Sequence, residues 1–93
     1  MRIIGHIEHP DIKITVFKMD NRVSVKFENT LYEQTFKLGM DERTASMEAI
    51  QKLIDARFTD QVSDIFRQMH QTRIAGFKRA FPAGEDTGLE EII

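Results

Sequence analysis

The feature that most constrains this chain is a nearly regular alternation of apolar and polar residues in the stretch FKMDNRVSVKFENTLYEQTF, residues 17–36. Successive side chains of a β-strand point to opposite faces of the sheet, so the alternation predicts strands with one buried and one solvated face. The period of two extends over residues 2–38, and a period near 3.6 replaces it from residue 42 to about residue 80. Strands followed by helices predict an α+β domain built on an antiparallel sheet.

Two turn signals set the pairing of the central strands. Asp20-Asn21 and Asn29-Thr30 separate the alternating runs, and Asx residues tolerate the positive φ of a tight hairpin. Two-residue loops at both points place the same apolar side chains on one face, whereas a slip of one residue would invert a strand. The expected pairs are Val16 with Val25, Val23 with Phe36, Phe27 with Tyr32, Lys26 with Glu33 and Ser24 with Thr35.

The first strand runs from Arg2 to Glu8 and turns through a segment that contains Pro10. Proline suits a loop because it cannot donate a hydrogen bond to a ladder. This register leaves Ile4 on the outer face and completes a four-stranded β-meander. The expected pairs are Ile7 with Ile12, Gly5 with Ile14 and Ile3 with Val16.

The helical region predicts two helices that pack on the apolar face of the sheet. The first, DERTASMEAIQKLIDARF, is capped by Asp41, and the second is capped by Thr59. Pro82 would end the second helix, and Gly76 could break it earlier. The apolar stripes are Met47, Ile50, Leu53, Ile54 and Phe58 on the first helix, and Val62, Ile65, Phe66, Met69, Phe77 and Phe81 on the second.

The second helix is expected to extend past the sheet. At 1.5 Å per residue, about 20 helical residues span about 30 Å, whereas a strand of seven or eight residues spans about 24 Å. Arg73 falls near the centre of the apolar stripe, and a guanidinium buried in a core is unfavourable unless it is paired. Either the helix has passed the end of the sheet at Arg73, or Arg73 meets a carboxylate on another subunit, and in both cases the last turns leave the core of the monomer. We expect one domain over residues 1–81 and a flexible acidic tail over residues 82–93.

Composition excludes several classes of protein. The 93 residues include no cysteine, so disulfides and thiolate metal sites are impossible, and a reducing compartment fits. The start of the chain, MRIIGHIEHPD, is unlike a signal peptide, and we expect a cytoplasmic protein without a membrane segment. The net charge of −2 argues against general attraction to nucleic acid, although residues 65–84 hold four strong bases and no acid.

The densest group of possible metal ligands is HIEHPD, residues 6–11, which offers His6, Glu8, His9 and Asp11. Its spacing matches no metal-binding signature, and a strand followed by a turn does not bring these side chains together reliably. We expect a solvated sheet edge there, no metal and no cofactor. A further histidine, His70, is expected on the surface of the second helix.

No residue pattern in the chain specifies catalysis. There is no Ser-His-Asp or Cys-His arrangement and no glycine-rich phosphate loop, so we expect a protein that is not an enzyme. Gln34 stands out because the register places it on the apolar face. It is either a polar group in a pocket or a buried amide bonded to a helix end or to the backbone.

Two classes of function fit the solvated outer face and the projecting helix. The first is a protein-interaction module, most simply a homodimer, because contiguous exposed apolar area usually marks an interface and a two-fold dimer lets one patch cover its own copy. Another protein partner would fit the same surfaces. The expected interface residues are Ile4, Phe17 and Met19 on the sheet, and Arg73, Phe77 and Phe81 on the helix.

The alternative is a regulator that binds single-stranded nucleic acid on the outer face, where an aromatic side chain stacks on a base and cations follow the phosphates. The order of elements, a four-stranded sheet followed by a helix, resembles that of the Whirly-type single-strand-binding proteins, and this resemblance implies such a binding sheet. The expected contacts are Lys13, Phe17, Arg22, Lys26 and Lys37.

Overall fold

The computed structural model of the protein describes residues 1–82. The strands form one antiparallel sheet in the order β1-β2-β3-β4, with two helices after it, which confirms the predicted α+β class and ββββαα order. The elements are β1 (Arg2–Ile7), β2 (Lys13–Met19), β3 (Arg22–Glu28), β4 (Glu33–Gly39), a 3₁₀ turn (Glu42–Thr44), α1 (Met47–Leu53) and α2 (Ala56–Ala80).

The pairing of β2 with β3 is confirmed. Val16 lies opposite Val25, and Met19 lies opposite Arg22, so the loop between the strands has two residues. Asp20 adopts a φ of 55°, which is the left-handed conformation that a tight hairpin requires and that Asp tolerates.

The predicted register of β3 against β4 was wrong by two residues. The Asn29 side-chain oxygen accepts the N–H groups of Leu31 and Tyr32 at 3.0 and 2.9 Å, and the Asn29 N–H donates to the Tyr32 carbonyl at 3.0 Å. The loop is therefore Thr30-Leu31 rather than Asn29-Thr30. A shift of two residues leaves every side chain on its predicted face. The observed pairs are Val25 with Phe36, Lys26 with Thr35, Phe27 with Gln34 and Glu28 with Glu33.

The predicted pairing of β1 with β2 was also wrong: Gly5 and Ile7 pair with residues of β2 two positions later than predicted, and a β-bulge at Ile4 changes the register once more before Gly5. Gly5 lies opposite Val16, whereas Ile3 lies opposite Phe17, so Ile4 is the extra residue. Ile4 consequently packs against the core instead of joining the outer face. Ile3 takes the outer position and is 55% exposed.

The core lies between the inner face of the sheet and the helices. The rings of Phe27, Phe36 and Phe58 form a cluster in which the centroids are 5.1 to 5.7 Å apart. Gly5 allows α1 to approach the sheet, because a Cβ there would lie 2.6 Å from the Met47 Cε. The buried apolar residues are Ile12, Ile14, Val16, Val23, Val25, Phe27, Ile50, Ile54, Val62 and Phe66.

The predicted boundary between the helices was four residues too late. Asp55 accepts the Phe58 N–H at 2.9 Å and caps α2, so Thr59 lies inside that helix, where its hydroxyl donates to the Ala56 carbonyl at 3.0 Å. Asp41 caps only the 3₁₀ turn, and Ser46 caps α1. The hydrogen bonds from Arg43 lower the pKa of Asp41 to about 2, so this cap stays charged at ordinary pH.

The expected extension of α2 beyond the sheet is present. Its 25 residues correspond to about 37 Å, and Gly76 does not interrupt it. The last buried residue of α2 is His70, so almost three helical turns continue past the core. The helix ends at Ala80, before Pro82, and residues 83–93 of the predicted tail lie outside the described residues.

Replacing Phe27 with Ala should destabilise the fold by about 3–5 kcal/mol, because it removes the ring at the centre of the aromatic cluster and leaves a cavity. Urea denaturation monitored by circular dichroism measures this change. Leu53→Ala is the control, since its side chain is 40% exposed, lies outside the proposed contact surfaces and should contribute less than about 1 kcal/mol. Equal effects of the two substitutions would contradict this assignment of the core.

Candidate functional site

The outer face of the sheet carries an apolar depression with a basic rim. Phe17, Ser24 and Lys37 lie in one row across β2, β3 and β4. A concavity of about 520 Å³ opens at this row, and the exposed Met19 extends it toward the strand ends. Its lining consists of Met1, Phe17, Met19, Arg22, Val23, Ser24, Lys37, Gly39 and Met40.

The structure gathers part of the predicted nucleic-acid contact set. Phe17, Arg22 and Lys37 line the same concavity. The Lys26 ammonium lies 5.3 Å from the centroid of the Phe17 ring and 3.5 Å from a Glu28 oxygen, so a cation already covers one face of the aromatic that would stack on a base. The remaining predicted contact, Lys13, lies opposite Glu28 at the other end of β2.

The projecting end of α2 forms a second surface. The Phe77 and Phe81 rings lie 5.8 Å apart and are 36% and 53% exposed. The Arg73 guanidinium lies 5.5 Å from the Phe77 centroid, so it covers an aromatic ring rather than entering the core. A shallow groove of about 290 Å³ runs beside them, and its floor consists of the small residues Thr72, Gly76 and Ala80.

A third surface lies between the edge strand β4 and α2, and the sequence patterns did not indicate it. It is a groove of about 440 Å³ with an apolar floor. Ile65, predicted on the buried stripe, is instead 39% exposed on this flank of α2. The groove is lined by Phe36, Phe58, Gln61, Val62, Asp64, Ile65 and Gln68.

His70 is buried, so the expectation of a surface histidine was wrong. It follows Val62 and Phe66 at intervals of four on the inner side of α2, and only 8% of it is exposed. Its Nδ1 lies 3.0 Å from the Tyr32 hydroxyl, and the rings pack edge to face at 6.0 Å. This spacing of four in the sequence was the signal that could have found it.

The amide of Gln34 forms a structural contact, which decides between the two interpretations of that residue. Its Nε2 donates to the Val62 carbonyl at 3.0 Å and so ties β4 to α2.

In residues 6–11, the stretch richest in possible metal ligands, the His9 Nδ1 accepts the Asp11 N–H at 3.1 Å within the turn. Within residues 1–82, no group of three or more His, Asp or Glu side chains is placed to hold a metal ion.

Neither family models, nor curated proteins, nor solved structures gave a match to this chain. None of the helices in residues 1–82 combines the length and the apolar character that crossing a membrane requires. The function of this protein therefore has to be inferred from the geometry and charge of the three surfaces.

The Tyr32–His70 contact should appear as a coupling in a double-mutant cycle. Tyr32→Phe should destabilise the protein by about 1 kcal/mol, because a partly buried hydrogen bond is lost. In a His70→Leu background the same change should have almost no effect, because the hydroxyl has already lost its partner. Urea denaturation of the four proteins measures the coupling, and equal effects in both backgrounds would exclude it.

Single-stranded DNA should bind weakly at a salt concentration of about 150 mM, because the chain is net acidic and Lys26 covers the exposed aromatic. Fluorescence anisotropy with a labelled oligonucleotide measures this. Micromolar binding at that salt concentration, abolished by Phe17→Ala but kept in Phe81→Ala, would favour the nucleic-acid alternative.

Proposed function

We propose that this protein is a non-enzymatic protein-interaction module of the cytoplasm that acts as a homodimer. The observation that carries the proposal is the end of α2, where Phe77 and Phe81 remain exposed on a helix that has already passed the core. A contiguous exposed apolar surface of this kind usually marks an interface.

The spacing of apolar residues along α2 supports the proposal that the end of this helix contacts another molecule. Phe77 and Phe81 lie on the same helical stripe as the buried Val62, Phe66 and His70, seven and eleven residues after His70. A helix that met only water after His70 would have no physical reason to keep large apolar residues on that stripe. The small side chains of Gly76 and Ala80 would let a second body approach the helix closely.

A second copy of the chain is the simplest body that could cover this surface. A two-fold dimer is the commonest closed assembly and presents each patch twice. The outer face adds further apolar side chains, since Ile3 and Met19 are exposed there beside Phe17. The absence of cysteine supports a reducing compartment such as the cytoplasm.

The alternative, a single-stranded nucleic-acid binder, is favoured by one observation, the shared concavity of Phe17, Arg22 and Lys37. Such sites usually combine several stacking aromatics with a positive groove. Here one aromatic lies under Lys26, and the whole chain is acidic. These two features favour the homodimer over nucleic-acid binding.

Light scattering coupled to size-exclusion chromatography should give twice the chain mass for the wild type. Phe77→Glu should shift the protein toward the monomer, because it buries a charge in the proposed contact. Ala75→Glu is the matched control, since it introduces the same carboxylate at an exposed position on the opposite side of the helix and should leave the mass unchanged.

A wild type that stays monomeric at high protein concentration would contradict the homodimer. If the Phe77→Glu variant stays dimeric, the helix end is not part of the interface, although the protein still dimerises.

A further inference from the structure

The free edge of β4 carries charges that complement a second copy of the same strand. We propose that the two copies of the homodimer join by antiparallel pairing of β4 with β4, centred on Thr35, to form one continuous eight-stranded sheet. This inference rests on the proposed function, because it names the surface through which the two copies meet.

Within residues 1–82, no strand pairs with the outer edge of β4, so its backbone hydrogen-bonding groups are open there. The Asn29 N–H bonds to the Tyr32 carbonyl, and bonded pairs alternate with non-bonded pairs along an antiparallel ladder. Gln34 and Phe36 therefore direct their backbone groups toward β3. The backbone N–H and C=O groups that point to the free edge belong to Glu33, Thr35 and Lys37.

Pairing centred on Thr35 satisfies these groups and matches the side-chain charges. Glu33 comes to lie opposite Lys37 of the second copy, and two-fold symmetry repeats the pair. Opposite charges directly across a ladder stabilise it, whereas registers centred on Glu33 or Lys37 would place like charges together. Registers centred on Gln34 or Phe36 would pair Thr35 with a charged residue, so only the register centred on Thr35 places opposite charges together.

Within its own chain, Glu33 faces an unfavourable neighbour. The observed register places it opposite Glu28, and like charges directly opposite each other destabilise a sheet. Lys26, which could have compensated, contacts Glu28 instead. Within residues 1–82, neither Glu33 nor Lys37 forms an ion pair. A second copy of β4 would supply the cation that Glu33 lacks.

The groove beside β4 lies where a second α2 would pack. Phe58 of α2 contacts Phe27 on β3 and Phe36 on β4, so the helix lies above these two strands. With strands about 4.8 Å apart, a two-fold axis at the β4 edge places the two α2 helices about 10 Å apart, which is the spacing of packed helices. Ile65 would be buried in that gap.

The same symmetry gives the projecting end of α2 a partner. α2 runs antiparallel to β4, from Phe58 beside Phe36 to His70 beside Tyr32. In the second copy the helix runs the opposite way, so its basic end, with Phe77, passes the end of β4 in the first copy. That end exposes the apolar Met40 and the acid Glu42, whereas Asp41 is already paired with Arg43.

The other edge strand is a poorer template for such pairing. The bulge between Ile3 and Gly5 interrupts β1 at its centre, and bulges at sheet edges disfavour addition of another strand. In β4 the irregularity falls at Leu38, beyond the proposed pairing. The two edges therefore differ in the length of regular ladder that they offer.

Charge reversal at the two paired positions tests the proposal. Glu33→Lys and Lys37→Glu each replace two attractive pairs by two repulsive ones and should raise the dimer Kd at least about tenfold. An equimolar mixture of the two variants regains opposite charges at both pairs, so it should form a heterodimer with a Kd near the wild-type value. Arg2→Glu, a charge reversal on the opposite edge strand, is the matched control and should leave the Kd unchanged.

Sedimentation velocity over a dilution series measures each Kd, and circular dichroism checks that the variants are folded. If the wild type is dimeric but both single variants keep its Kd, or if the mixture fails to restore the dimer, β4 pairing is wrong and the proposed homodimer stands on another surface. A wild type that is monomeric throughout overturns both proposals.

Discussion

The rest of the structure depends on the burial of the inward side chains of β2 and β3 beneath the two helices. Val16, Val25 and Phe27 have no exposed surface, and each apolar side chain of this size contributes about 1.5–3 kcal/mol when buried. A small domain has a net stability of only about 5–15 kcal/mol, so it cannot lose several of these contacts. Because side chains alternate along a strand, this burial also determines the composition of the outer face and of the sheet edge.

The same alternation explains which parts of the fold could be predicted from the sequence. It assigned each residue of β2, β3 and β4 to a face, and the structure confirms those faces. It could not set the β3–β4 register, because a shift of two residues gives the same pattern of buried side chains. That register depends on the Asn29 side chain, which places the loop at Thr30-Leu31. Nor could it reveal the bulge at Ile4, because Ile3 and Ile4 are both apolar and either of them could face the core.

Of the candidate surfaces, one could be predicted from the sequence and another could not. The exposed end of α2 followed from helical spacing and from the length of the helix relative to the strands, so its residues could be named in advance. The helix boundary was misplaced because Asp55 and Thr59 are both good caps, and only packing decides between them. The complementary edge of β4 could not be found at all, because Glu33 meets Glu28 only in the observed register. The helix surface could be predicted from residues that are close together in the sequence, whereas the charged edge depends on how β4 pairs with β3.

In the proposed dimer the edge of β4 and the projecting end of α2 belong to one symmetric interface, and the backbone of Thr35 distinguishes the dimer from an isolated copy. The Thr35 N–H points away from β3 and would bond across the axis in the proposed dimer, whereas the Phe36 N–H bonds to β3 in both states. Amide hydrogen exchange measured by NMR at protein concentrations above and below the dimer Kd separates these two groups. We expect slow exchange of the Thr35 amide only above the Kd, and slow exchange of the Phe36 amide at both concentrations. Fast exchange of the Thr35 amide under conditions where light scattering reports a dimer would contradict the pairing of β4 with β4.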